Sequence, residues 1–336
     1  MLNSTPSTPF SAAKAAFQPL LDALYHGREA EVCARLRELL APDCQIKFCH
    51  PFEDLRGADE LISRVYGPLF HAMPNLERRD FIVMAGPRWG VGTDETWIGI
   101  GGNIVGSFEH DWLGIPATGR PVFMRYHEYY RLEDGKVTEM SALWDIPQLA
   151  KQAGSWDYAI QPGVEWMCPG PARRSPAQDG LAPDEYGNQS VQLVWDMLHQ
   201  LQKGDVAEPL KHSRDYWHPN CLWYGPTGIG TGRTPAGFQN VILDGFRSGL
   251  SDNVRKLKEG VFFGDGDLVA FTGWPSGIAT HSGPGFLGHA ATGKRIERRS
   301  LDFWRCEDGQ IRENWVLVDL PHIYSQLGIE IFKEYN

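Results

Sequence analysis

The positions of apolar side chains predict a similar order of helices and strands in each half of the chain. Apolar residues three and four apart predict a helix, whereas strict alternation predicts a strand. In the first half these spacings predict helix 12–25, helix 29–40, strand 44–49, helix 58–73, and strands 79–84, 95–100 and 104–112. In the second half they predict helix 189–202, strand 221–224, helix 235–249, and strands 255–263 and 268–274. Each half then ends in a hairpin and a short helix, which spans 147–152 in the first half.

The hairpins that end the two halves are copies of one sequence. Residues 114–154 align without a gap with residues 288–328, and 15 of the 41 aligned positions are identical. Because the offset between the copies is much longer than a solenoid repeat, we interpret the chain as two copies of one whole domain. The predicted boundaries are 12–154 for copy one, 155–188 for a linker rich in proline and glycine, and 189–330 for copy two.

The shared residues form an ordered signature. It consists of an Ala-Thr-Gly turn, an apolar strand, Asp-Gly-Lys/Gln-Val/Ile, a glutamate two residues on, an aspartate six further and a helix that ends Gln-x-Gly. This signature resembles that of the SnoaL-like polyketide cyclase family, within the nuclear transport factor 2-like superfamily. The resemblance implies an α+β fold of two tandem cone-shaped α+β barrels, each a curved antiparallel sheet that helices close around a pocket. It also implies a reaction without a cofactor, because the best-understood members close the ring of a polyketide ester by aldol chemistry.

Composition narrows the kind of partner. The formal net charge of −10 argues against nucleic acid and anionic membranes, which call for basic patches. The 12 tryptophans could supply flat apolar walls, so we expect a cyclic or aromatic carbonyl compound as the small-molecule substrate. The histidines lack zinc-ligand spacing, and no metal is expected. Six cysteines without a C-x-x-C motif, and the lack of a signal peptide or an apolar span, favour a cytoplasmic protein with free thiols. We also expect a homo-oligomer that assembles through its sheets.

The Asp134-Gly135 turn predicts the register of the first hairpin, because this dipeptide suits a two-residue type I′ turn. With Glu133 opposite Lys136, Asp145 would share a sheet face with Tyr126 and Glu128, and in copy two Asp319 would share a face with Arg298 and Asp302. The resemblance makes Asp145 the counterpart of the family's general base, so Asp145 and its repeat Asp319 are the predicted catalytic residues. The predicted substrate-binding residues are Tyr126, Glu128, Trp97, His50, Trp274, Tyr224, Arg298 and Asp302.

Other interpretations of these residues stay open. Asp145 and Asp319 each precede an apolar residue and a proline at a helix start, where an aspartate serves as an N-cap. Arg298 opposite Asp319 would hold that carboxylate ionised, which would leave copy two structural or binding an anionic group. The register places His127 on the opposite face from Asp145, at an interface or the surface, unless a bulge brings it round.

Two functions therefore remain. One is an enzyme whose aspartate removes an α-proton from a carbonyl compound, for cyclisation, isomerisation, or hydration and dehydration, with Tyr126 donating a hydrogen bond to the enolate. The other is a non-catalytic binding or assembly protein in which the aspartates cap helices. A base should titrate above about 3.9, the value in model peptides, and a cap below it.

Overall fold

The computed structural model describes residues 10–91, 95–173, 184–203 and 213–332. The first domain contains five helices and a π-helical turn (Ile62–Tyr66) among its described residues. Its helices are α1 (Ser11–Tyr25), α2 (Glu29–Leu39), α3 (Gly57–Leu61), α4 (Gly67–Ala72) and α5 (Ile146–Gln152). Its strands are β1 (Leu40–Phe48), β2 (Asp54–Arg56), β3 (Glu77–Pro87), β4 (Thr96–Ser107), β5 (Pro121–Glu133) and β6 (Lys136–Trp144).

The second domain repeats this order of elements. Its helices are α6 (Asp184–Lys203), α7 (Ser213–Tyr216), α8 (Thr234–Phe238), α9 (Asp244–Gly249) and α10 (Leu320–Leu327), with a π-helical turn (Gln239–Leu243) and a 3-10 turn (Gly285–Leu287). Its strands are β7 (Trp217–Tyr224), β8 (Thr231–Arg233), β9 (Val254–Arg255), β10 (Val261–Asp265), β11 (Leu268–Thr280), β12 (Arg295–Glu307) and β13 (Gln310–Val318). Both domains place a π-helical turn between two short helices, which is one more mark of the repeat.

The two sheets have matching topologies. The first sheet has the order β2-β1-β6-β5-β4-β3, and the second has the order β10-β11-β12-β13-β7-β8, with β9 paired to β11. In each sheet the first long strand runs parallel to the last, as β1 with β6 and β7 with β13, and the other pairs are antiparallel. The repeat predicted two tandem domains, the resemblance implied an α+β fold for each, and this fold class is confirmed.

Glycines allow one long strand where two were predicted. Residues 96–100 of the first predicted strand and 104–107 of the second belong to a single strand, β4, which runs through Gly101-Gly102. The strand ends at Ser107, so the predicted extension to residue 112 was wrong. A Cβ at Gly102 would lie 2.3 Å from the backbone oxygen of Arg79 and 2.6 Å from the hydroxyl of Tyr126. Glycine is therefore required where the backbone of β3 and the Tyr126 side chain leave no room for a Cβ, and it does not end the strand here.

The predicted register of the signature hairpin was wrong by one residue. Glu133 pairs with Lys136 as expected, but Thr138 has no partner, and Tyr126 pairs with Trp144. Such a β-bulge places two residues opposite one, and every later side chain then changes face. The second hairpin has the same bulge at Arg312, the position equivalent to Thr138.

The bulge moves both predicted catalytic residues away from the predicted pocket face. The backbone N–H of Asp145 bonds to the carbonyl of Arg125 at 2.8 Å, and that of Asp319 bonds to the carbonyl of Arg299 at 3.1 Å. Asp145 therefore shares a face with His127 rather than with Glu128. In copy two the arginine beside Asp319 is Arg299, not the predicted Arg298.

The two domains pack against each other through the sheet faces that carry His127. The ring nitrogen Nδ1 of His127 bonds to the carbonyl of Leu301 at 2.8 Å, and Leu301 is the residue equivalent to His127 in the second copy. The Tyr129 hydroxyl donates to the carbonyl of Asp302, and Arg125 donates to the carbonyls of Tyr224 and Val316. Contact between equivalent positions is the arrangement of a two-fold dimer, here within one chain.

The described part of the predicted linker lies across both domains. The carbonyl of Cys168 accepts a hydrogen bond from Asn103, and that of Pro169 accepts one from Trp315. All six cysteines are free thiols, as expected. Within the part of the chain that the structure describes, no helix is long and apolar enough to cross a membrane.

Candidate functional site

Asp319 joins the two domains and caps a helix. One carboxylate oxygen accepts the backbone N–H of His322 at 3.1 Å, which confirms the N-cap of α10. The other oxygen accepts the backbone N–H of His50, in the loop after β1 of the first domain, at 3.0 Å. Burial raises the pKa of Asp319, although Arg299 and these backbone donors oppose the rise.

Asp145 has the corresponding place on the other side of the interface. Its Oδ2 accepts the backbone N–H of Thr227, in the loop after β7, at 2.9 Å, and its side chain does not cap α5. Burial raises the pKa of Asp145 to about 7, against the effect of Arg125. Both predicted catalytic aspartates therefore lie between the domains. A raised pKa does not separate a base from an interface residue here, because burial raises the pKa in either role.

Four predicted binding residues also lie towards the interface. The ring of Trp97 stacks on Phe263 of the second domain, with centroids 6.4 Å apart. Trp274 lies under the guanidinium of Arg299, and Tyr224 stacks on Trp315. His50 places Nδ1 2.9 Å from Glu53 and Nε2 3.2 Å from Glu330.

The group formed by His50, Glu53 and His322 has the donor atoms of a cation site. The Nδ1 atom of His322 lies 3.6 Å from Glu53 Oε1, which is also bonded to His50. Both ring nitrogens of His50, however, face carboxylates, and the other oxygen of Glu53 pairs with Arg299 at 2.7 Å. A network of hydrogen bonds and ion pairs across the interface accounts for this geometry without an ion.

The interior face of the first sheet holds a closed polar cluster around Glu128. This fully buried carboxylate accepts hydrogen bonds from Arg78 at 2.8 Å, the Tyr130 hydroxyl at 2.5 Å and Trp144 Nε1 at 2.9 Å. Tyr126 donates to Asp80, and its ring lies 4.0 Å from the Arg78 guanidinium carbon. The two predicted pocket residues are thus held by partners within their own domain. Arg78 was missed because it precedes the alternating stretch that predicted β3.

The equivalent face of the second sheet borders a cavity of about 50 Å³. Asp302 and Ser300 take the places of Glu128 and Tyr126 in the repeat, and Arg298 lies on the same face. The remaining walls are mainly aromatic and apolar, as expected of a site for a small organic molecule. They include Trp217, Trp223, Trp304, Phe238, Phe246 and Met197.

Asp302 has spare hydrogen-bonding capacity inside this cavity. Its Oδ2 accepts only a long bond from Ser300, at 3.4 Å, and its Oδ1 is buried with no partner among the described residues. Burial raises the pKa of Asp302 to about 7, although Arg255 and Arg298 lower it. A carboxyl group of this kind can accept or return a proton near neutral pH.

Donors that could stabilise negative charge surround Asp302. Trp304 Nε1 and Arg298 Nε are buried without a hydrogen-bond partner among the described residues. Arg298 also bonds to Asn253, and its guanidinium carbon lies 4.9 Å from the centre of the Phe246 ring. Burial lowers the pKa of Arg298 to about 9. Arg255, which the sequence reasoning missed, lines the same cavity, and its position at the start of a predicted strand gave no signal of this role.

Comparisons with known proteins agree with the repeat. The family model described as SnoaL-like polyketide cyclase matches twice, at residues 18–153 and 194–327. Similar solved structures include IdmH from Streptomyces antibioticus, which is 22% identical, covers 42% of this chain and 96% of its own, and has a TM-score of 0.34. TsrD from Streptomyces laurentii is 18% identical, with coverages of 44% and 97% and a TM-score of 0.34.

A third similar structure is an NTF2-like protein from Burkholderia thailandensis E264, which is 16% identical, covers 41% of this chain and 94% of its own, and has a TM-score of 0.31. No curated protein matches the chain.

Proposed function

Because the chain belongs to the SnoaL-like polyketide cyclase family, we propose that it is an enzyme that acts on a small carbonyl compound, with the reaction in the second domain and Asp302 as the base. The observation that carries this proposal is the Asp302 carboxylate, whose Oδ1 is buried without a partner among the described residues, beside an aromatic cavity. Asp145 also has a buried Oδ1 without a partner among the described residues, but it lies between the domains and does not line this cavity. Glu128 has neither feature, because three donors hold its carboxylate.

The proposed reaction begins with the removal of an α-proton. Asp302 takes the proton from the carbon beside the substrate carbonyl, and the electron pair of the C–H bond moves to the carbonyl oxygen as an enolate. Arg298 and the Trp304 N–H would stabilise that oxygen. In a cyclisation, the enolate carbon attacks a second carbonyl of the same molecule, and protonated Asp302 returns its proton to the new alkoxide. Isomerisation and dehydration share the first step, and none of these steps calls for a cofactor.

The size of the cavity limits what can enter it. Ligand pockets usually measure about 300–1,000 Å³, whereas this cavity measures about 50 Å³. It admits the reacting carbonyl end of a substrate, and a larger ring system would extend outside it. In the first domain, three donors already occupy the Glu128 carboxylate, which favours a structural role for the interior of that domain.

The test uses a panel of cyclic and aromatic β-keto esters as substrates. NMR measures the rate at which their α-protons exchange with solvent deuterium. We expect the wild-type chain to catalyse exchange and Asp302→Asn to lower the rate by about 100-fold or more. Asp308→Asn is the matched control, because this exposed residue of the hairpin turn undergoes the same chemical change. Equal rates in wild type and Asp302→Asn would contradict the proposal. Binding that quenches tryptophan fluorescence without exchange would instead favour a non-catalytic binding protein.

A further inference from the structure

A second cavity, of about 280 Å³, lies beside the Asp302 cavity in the second domain. Arg255 lines both cavities, so the two share a wall. The volume is close to the lower end of the range for ligand pockets, about 300–1,000 Å³. The other polar residues that line it are His199, Gln202, Lys256, Lys258 and Glu259.

The charges in this second cavity do not cancel. Lys256 pairs with Glu259 at 2.8 Å. Arg255 and Lys258, in contrast, have no ion pair or side-chain hydrogen bond with any residue that the structure describes. Arg298, which lines the Asp302 cavity together with Arg255, adds a third cation beside the single carboxylate of Asp302. This excess of positive charge occurs in a chain whose formal net charge is −10.

Arg255 is the residue best placed to bind an anion here. It is the last residue of β9, is partly buried, and lines the cavity that holds Asp302. A desolvated cation without a partner is costly, and a bound anion would offset that cost. The planar guanidinium presents a fork of N–H donors that matches a carboxylate or a phosphate.

We propose that the cavity of His199, Arg255, Lys256 and Lys258 binds an anionic group of the substrate, a carboxylate or a phosphate, with Arg255 as its anchor. The shared wall would then direct the carbonyl end of the same molecule towards Asp302. This inference rests on the proposed function and adds the substrate class: a carbonyl compound with a remote acidic group.

The test compares three forms of one probe, a cyclic β-keto ester with a remote carboxylate, its phosphate monoester counterpart, and the form whose remote acid is a neutral methyl ester. Binding is followed by calorimetry at low ionic strength. We expect wild type to bind at least one of the two anionic forms about tenfold or more tighter than the neutral ester, since charge-assisted hydrogen bonds have this strength. The form that binds more tightly identifies the acidic group.

The preference for the anion should depend on Arg255. In Arg255→Met we expect it to fall to about threefold or less, while Lys258→Met, at an exposed position, should lower it in part. Arg120→Met, an exposed arginine of the first domain, is the control and should keep the full preference. Equal binding of charged and neutral forms by wild type, or an unchanged preference in Arg255→Met, would overturn the inference.

The binding and exchange measurements together distinguish a failure of the anion site from a failure of the proposed reaction. Asp302→Asn should lower the rate of deuterium exchange by about 100-fold or more and still bind the anionic probe more tightly than the neutral one, because Arg255 is intact. Exchange that depends on Asp302 but shows no preference for an anion would leave the proposed reaction in place and remove the anion site. For the charged probe, Arg255→Met should raise KM with little change in kcat, the pattern of lost uniform binding.

Discussion

Glu128 and Asp302 occupy equivalent positions in the two copies, and only the first of them lies within ion-pair distance of an arginine among the described residues. The Glu128 carboxylate is 2.8 Å from Arg78 and accepts two further hydrogen bonds. Asp302 receives one long bond from Ser300 and borders a cavity. One sheet position thus supports a sealed ion pair in the first domain and a buried carboxylate beside a cavity in the second. This division supports the proposal that the second copy carries the reactive group, while the Glu128 cluster stabilises the first domain.

Glu128→Gln should destabilise the first domain. The change leaves the buried Arg78 without its closest carboxylate, and removal of one partner of a buried pair typically costs about 3–5 kcal/mol. We expect this loss in the free energy of unfolding measured with urea. Glu77→Gln is the matched control. Glu77 pairs with Arg79 near the surface, on the strand that also carries Arg78, so this variant should lose much less unfolding free energy. Equal losses in the two variants would contradict the structural role of Glu128.

The internal repeat made the two-domain fold predictable from the sequence, but not the faces on which the site residues lie. The signature in residues 114–154 and 288–328, together with apolar periodicity, predicted two α+β domains and most of their helices and strands. The bulges at Thr138 and Arg312 were not predictable, because neither residue carries a turn signal. A shift of one residue moves every following side chain to the other face. The general-base hypothesis for Asp145 depended on that register.

The partners of the interior carboxylates were hidden for a different reason. Arg78 reaches Glu128 from β3, 50 positions earlier in the chain. Arg255 lies next to the Asp302 cavity because β9 pairs with β11. Such contacts follow from how the sheet is assembled, which local periodicity does not report. Asp302 and Arg298 were found as candidates because they lie on the strand that carries the signature, where alternation alone assigns the face.

His50 should make the stability of the chain depend on pH. Although burial lowers its pKa, hydrogen bonds to Glu53 and Glu330 raise it above the ordinary value. A histidine with a raised pKa in the folded state contributes stability that is fully present below its unfolded pKa, about 6.5, and is lost as pH rises through the folded pKa. His50→Gln should therefore lower the unfolding free energy more at pH 6 than at pH 9. The exposed His110→Gln is the control, and a loss independent of pH in His50→Gln would contradict the role of its charge.

Asp145 should make the unfolding free energy depend on pH between about 4 and 7. Burial raises its folded pKa to about 7, above the unfolded value, so its contribution is fully present below about pH 4 and is lost as pH rises towards 7. Relative to Asp145→Asn, wild type should lose up to about 4 kcal/mol of unfolding free energy as pH rises through this window. Denaturation at pH 4 and pH 8 measures this difference. Asp308→Asn, at the exposed turn, should show the same dependence of unfolding free energy on pH as wild type. If Asp145→Asn also showed the wild-type dependence, a buried ionisation at Asp145 would be ruled out.

The pH profile of deuterium exchange should report the ionisation of Asp302. Only the ionised carboxylate can accept a proton, so kcat/KM should rise with pH through about 7, the value to which burial raises the pKa of Asp302. Arg298 lowers that pKa through its positive charge. Arg298→Met should therefore move the midpoint of the profile to higher pH, in addition to lowering the rate through weaker stabilisation of the enolate. A lower rate with an unchanged midpoint would mean that Arg298 acts on the substrate alone, and a profile without a midpoint near neutrality would remove Asp302 as the base.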